Sequence, residues 1–196
     1  SEMKVVLISP DVNVHRLSQQ ILKNEPKIID RHPPTGFDHG GDGGTGLGPN
    51  SLTSRFFYFN VLRWWGTRAL RKGIRKGYET YTNIKDKPIY VQCWANVMRK
   101  GQKIKSHIHD KRSLPAHQNL SGHFNVKVDG STSTYYNGEP HVNKDGEMLL
   151  FPSFIPHWTD VYNGEEERIT VAFDIKSASF YKQDVCDDVK SHWVKI

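Results

Sequence analysis

Cysteine is nearly absent: among 196 residues only Cys93 and Cys186 carry thiols, one in an apolar run and one in an acidic tail. Two thiols give no zinc-type spacing, and a reduced, cytoplasmic setting is expected. No run of eighteen apolar residues occurs, so no helical membrane span is expected. The apolar patch in "SEMKVVLISP" is too short and too weakly flanked for a secretory signal, and Ser1 and Glu2 before Met3 read as a cloning remnant. No helix-turn-helix, zinc-finger or RNP-like motif and no internal repeat is visible. The balance of 27 Lys+Arg against 21 Asp+Glu, +6 with neutral histidines, suits an anionic partner such as nucleic acid but equally suits solubility.

What is present divides the chain in two. At this length one domain is expected over residues 1–196, with a helical and loop part at 1–87, a β core at 88–176 and a tail at 177–196. "MKVVLISP" reads as a short strand, and Val14, Leu17, Ile21 and Leu22 then recur at helical spacing, with the helix expected to stop before Pro26. "RHPPTGFDHGGDGGTGLGPN" holds seven glycines and three prolines in twenty residues; it reads as a loop, with residues 36–48 placed to serve as a lid. Farther on, Leu70, Ile74, Tyr78 and Tyr81 share one helical stripe while Arg68, Arg71, Lys72, Arg75 and Lys76 line the rest. The aromatic run of Phe56, Phe57, Tyr58, Trp64 and Trp65 reads as core, or as a mouth able to stack on a ring.

From residue 88 the period changes to that of strands. "KPIYVQCWANVMRKG", "KIKSHIH", "LSGHFNVKVDG", "STSTYYNG" and "GEMLLFPSFIPHWTDVYNGEEERITVAFDI" are separated by Gly, Pro and Asn turns. About seven short strands after a helical part predict a mainly β fold, a jelly roll braced by N-terminal helices.

His107 and His109 are two apart, and residues i and i+2 of a strand share a face, with Ile108 turned to the other. Two imidazoles a pleat apart are half of a metal site. His157 follows in an aromatic setting with Phe154 and Trp158, as a third ligand from an opposing strand would. Three protein ligands leave positions open, an arrangement that resembles the facial triad of non-haem iron oxygenases. Eleven residues past His157, Arg168 and Thr170 would share one strand face: a guanidinium and a hydroxyl suited to one carboxylate. Arg168 could instead pair with Glu165, Glu166 or Glu167.

These residues together resemble the iron(II)/2-oxoglutarate dioxygenase superfamily, whose fold is the cupin-like double-stranded β-helix. The resemblance covers about residues 90–175 and is nearest to oxygenases of phages and bacteria, through "CWANVMRKG", His-x-His, "LSGHFNV" and the last segment. It implies Fe(II) held by His107, His109 and His157, with His109 at the position where a carboxylate is usual. It implies 2-oxoglutarate held by Arg168 and Thr170, and by Asn96, whose spacing before His107 matches that of alkylation-repair demethylases. O2 would be the co-substrate and hydroxylation the outcome. Asp110 could replace His109 through a small bulge, and His117 or His123 could enter the site. A cupin metalloenzyme without 2-oxoglutarate, or a non-catalytic binding module, are the competing readings. The substrate, whether small molecule, peptide or nucleic acid, and the oligomeric state are not legible.

Overall fold

The computed structural model describes residues 4–35, 44–128, 130 and 132–196. The strands are β1 Val6–Ile8, β2 Ile89–Met98, β3 Asn119–Lys127, β4 Ser133–Tyr136, β5 Glu139–Val142, β6 Met148–Pro152, β7 His157–Thr159, β8 Arg168–Ser177 and β9 Val194–Lys195, and the helices are α1 Val14–Arg31, α2 Arg68–Thr82 and α3 Ala178–Asp184. The fold is mostly β, with two antiparallel sheets ordered β1-β6-β3-β8-β2-β9 and β5-β4-β7. The strand read in "MKVVLISP" is β1, and eight described strands follow residue 88 where about seven were expected; β7 and β9, of three and two residues, are too short to count by pattern. No described helix is long and apolar enough to cross a membrane.

The large sheet is built on strict alternation. On β8, Ile169, Val171, Phe173 and Ile175 are each 0% exposed and join Val91, Cys93, Ala95, Leu120 and Phe124 in one apolar face. That face packs against Leu17 and Ile21 of α1 and Leu70, Ile74, Tyr78 and Tyr81 of α2, the stripe read from the sequence. The opposite face carries Arg168, Thr170, Ala172 and Asp174. Register then assembles rungs across β2, β8 and β3: Asn96–Thr170–Asn125, Trp94–Ala172–His123 and Gln92–Asp174–Ser121. Polar side chains are thereby collected on the face that looks toward the small sheet.

Two expectations need correction. Helix α1 does not stop before Pro26 but continues to Arg31 with Pro26 inside it. Pro26 cannot donate into the helix, yet packing from outside holds the turn beyond it. Glu25 is bidentate with Arg99 at 2.7 and 3.0 Å, Arg55 donates to the carbonyls of His32 and Ile29, and Ile28 packs on the core. The stretch "KIKSHIH" is extended but is not a strand; among the described residues its one bridge joins His107 to His157. The Asn-Gly turn behaves as read: Asn137 and Gly138 have φ of 52° and 88°, closing a hairpin between β4 and β5.

Gly122 sits opposite Phe173 in the β3–β8 ladder. A Cβ there would meet the Phe173 ring and lie 2.9 Å from the Leu149 carbonyl oxygen. Gly122→Ala is therefore expected to lower stability by about 1–3 kcal/mol through overpacking. Urea unfolding followed by tryptophan fluorescence measures this, and an unchanged midpoint would contradict it.

Candidate metal centre and its cavity

After β2 the chain turns at Gly101 (φ 86°) and runs extended beside β7. Thr159 donates to the Ile104 carbonyl at 3.0 Å, and His107 and His157 exchange backbone bonds at 3.2 and 3.1 Å. The backbone N–H groups of His109 and Asp110 both turn to the Ser153 carbonyl, at 2.9 and 3.0 Å. A regular ladder cannot extend further because β7 has three residues and Pro156, before it, has no N–H. The pairing is nevertheless enough to bring His107, His109 and His157 together: one side-chain nitrogen from each lies within 4.8 Å of the others.

The remaining ring nitrogens are committed. Nδ1 of His107 donates to the Lys105 carbonyl at 2.8 Å, and Nδ1 of His157 to the Ile155 carbonyl at 3.1 Å. Nδ1 of His109 lies 2.6 Å from Oδ1 of Asp174, which also accepts from Ser121 Oγ at 2.7 Å. Anchoring Nδ1 leaves Nε2 as the free lone pair on each ring, the tautomer a metal needs. Nε2 of His157 is buried and has no hydrogen-bond partner. Burial, and secondly the charge of His109, push His107 down to about 4; His157 is held well below the usual imidazole range by the same two kinds of effect. Both rings are thus neutral at neutral pH, the state in which an imidazole can ligate a metal. Burial would raise the Asp174 carboxyl, but His109, Ser121 and Lys176 outweigh it and keep it low. Three converging imidazoles with a buried orphan nitrogen fit a borderline divalent metal such as iron, zinc or cobalt.

The cluster opens into a cavity of about 380 Å³ between the sheets, which Arg168, Thr170, Asn96, Asn125, Thr134 and His123 also line. Arg168 is 2% exposed; among the described residues its Nε has no partner, and Nη2 makes a long contact of 3.5 Å to Thr134 Oγ1. It does not pair with the neighbouring glutamates: Glu165 is bonded to Lys100 and Glu166 to Lys127. Burial pushes the guanidinium down to about 10, so it keeps its charge at neutral pH. Asn125 Nδ2 is a second buried donor without an acceptor, and Asn96 Oδ1 is taken by Thr53 Oγ1 at 2.6 Å. A cavity so lined with donors is suited to an acidic ligand.

Other sequence candidates separate cleanly. Asp110 is not part of the histidine cluster and is bonded to Arg112 at 2.7 Å and Asn119 at 2.9 Å. His117 is exposed, beside a different surface hollow. His123 does line the cavity, with Nδ1 3.0 Å from the Tyr136 hydroxyl. Of the aromatic run, Phe56 and Phe57 line the cavity, Trp64 stacks on Phe59, and Trp65 is 79% exposed against Arg16. Ile108 is 40% exposed and reaches the cavity, so it is not simply turned to the opposite face. None of the α2 basic residues lines it. Of the expected lid, residues 36–43 lie outside the described residues; Thr45, at its described end, lines the cavity. Sequence reading missed Asp174, Ser121, Thr134 and Asn125. The signal for Asp174 was there, because it stands on the same alternation as Arg168 and Thr170.

No protein-family model matches the chain, and no curated protein matches it in sequence. Solved structures do. The non-heme alpha ketoglutarate dependent epimerase SnoN from nogalamycin biosynthesis superposes with a TM-score of 0.60 at 10% identity, over 90% of this chain and 77% of that one. The carbocyclase SnoK of the same biosynthesis, also described as alpha ketoglutarate dependent, gives 0.60 at 9%, over 90% and 81%. The viral collagen prolyl hydroxylase of Paramecium Bursaria Chlorella virus-1, solved as a 2OG complex, gives 0.54 at 13%, over 89% and 96%. The chain shares their fold.

Substituting any one of the three histidines is expected to weaken Co(II) or Fe(II) binding at least a hundredfold, whereas Asp110→Asn leaves it within about threefold. Calorimetric titration of metal-free protein decides this; equal losses for Asp110→Asn and His109→Ala would contradict the assignment.

Proposed function

We propose that the protein is an Fe(II)/2-oxoglutarate-dependent dioxygenase on a double-stranded β-helix. It would hydroxylate a substrate not yet identified and release succinate and CO2. The observation that carries this reading is Arg168: a charged guanidinium, buried and without an anionic partner, in the same cavity as three converging imidazoles. The fold shared with three 2-oxoglutarate-type enzymes supports it.

In this reading His107, His109 and His157 hold Fe(II) through Nε2. Arg168 takes the distal carboxylate of 2-oxoglutarate in a bidentate pair, with the Thr170 hydroxyl alongside. Asn96 and Asn125, in the same rung as Thr170, offer amide donors to the bound acid. Bound iron, 2-oxoglutarate and O2 together supply the oxidising power for an unreactive C–H bond. The protein's part is to orient the co-substrate and exclude water, and Phe56, Phe57, Ile104 and Trp158 give the cavity apolar wall. A cupin site has no use for a buried, unpaired Arg168, and this favours the oxygenase.

Unpaired, Arg168 destabilises the empty protein, and an anion that pairs with it stabilises the fold by mass action. At a hundredfold excess over its dissociation constant, 2-oxoglutarate is expected to raise the melting temperature of the anaerobic Fe(II)-loaded protein by about 5–10 °C above that with Fe(II) alone. Arg168→Met should abolish that rise while leaving the metal-free protein at least as stable as wild type. Aerobic succinate release from 2-oxoglutarate, read by mass spectrometry, should fall at least tenfold in the same variant. No rise in wild type, with no succinate formed, would overturn the assignment.

A further inference from the structure

The three metal-binding imidazoles are not held alike. His107 and His157 are anchored by neutral backbone carbonyls, those of Lys105 and Ile155. Only His109 is anchored by a carboxylate, at 2.6 Å. It is also the histidine at the position where the resemblance calls for a carboxylate ligand. We propose that Asp174 supplies the missing negative charge of this metal centre, acting through the His109 imidazole rather than as a ligand.

Asp174 is placed for this by the sheet. It lies on β8 in register with Ser121 of β3. Ser121 Oγ donates to Asp174 Oδ1 at 2.7 Å and lies 2.8 Å from Ser153 Oγ. Ser153 in turn accepts the backbone N–H of His109 at 2.9 Å through its carbonyl. The carboxylate and the ring it addresses are thus fixed by one short chain of hydrogen bonds. A carboxylate on the far nitrogen orients the ring and increases its basicity toward the metal. The His109–Asp174 pair then carries the single negative charge that an aspartate ligand would, set back by one imidazole ring. Asp174 is a positioning residue in this account. The inference rests on the metal half of the proposed function only, so failure to bind 2-oxoglutarate would leave it standing.

A double-mutant cycle read by Co(II) calorimetry on metal-free protein tests it. Asp174→Asn in the native background should weaken Co(II) binding about 10–100-fold. In a His109→Asp background, where the ligand carries its own charge, the same substitution should change affinity less than about threefold. Equal losses in both backgrounds would reduce Asp174 to a structural role, and no loss in the native background would overturn the proposal outright. Proton NMR of the Co(II)-loaded protein gives a second readout that does not require His109→Asp to fold. Three exchangeable Nδ1–H resonances are expected, and Asp174→Asn should move or remove one of them. Uniform movement of all three, or of none, would contradict the proposal.

Discussion

Register along β8 is the constraint on which the site depends. The strand is paired on both sides, with β2 and with β3, and its residues alternate between an apolar face under the helices and a polar face in the cavity. A slip of one residue would carry Arg168, Thr170 and Asp174 into the helix-packed core and put Ile169, Val171 and Phe173 in the cavity. The apolar face therefore does more than stabilise the fold, because burying it fixes where the cavity-lining Arg168 and Thr170 and the His109 partner Asp174 stand. Gly122 contributes at the same level, leaving room for Phe173 at the centre of that face.

The polar face carries the opposite energetics. Among the described residues, His157 Nε2, Arg168 Nε and Asn125 Nδ2 are buried without partners, each a group that costs about 1–3 kcal/mol when left so. That they line one cavity is the physical sign of a site shaped for something other than the protein's own stability. The first is a lone pair suited to a divalent metal, and the other two are donors suited to an acidic ligand. Outside the cavity, Glu25 is paired with Arg99, and Asp184 with Arg112 and Lys176.

Local pattern carried much of this into the sequence. The α2 stripe, the Asn-Gly hairpin and the alternation of Arg168 and Thr170 with Ile169 and Val171 all depend on neighbours in the chain, and each can be read without coordinates. What depends on distant contacts could not be. Pro26 was expected to end α1 because Arg55, Arg99 and the core that hold the helix beyond it lie far away in sequence. The His-x-His segment was expected to be a strand because nothing local shows that its partner is only three residues long. Asp174 pairs with a histidine 65 residues earlier. Its face on β8 was legible, but its partner was not. Asp110, adjacent to His109, was the carboxylate that sequence proximity offered, and Arg112 and Asn119 claim it.

Anaerobic optical titration of metal-free protein with Fe(II) and then 2-oxoglutarate tests the central claim most directly, since it reports both halves of the site at once. A visible charge-transfer band that requires both additions and weakens in Arg168→Ala is the expected result. Iron binding that yields no band at any 2-oxoglutarate concentration would contradict the claim.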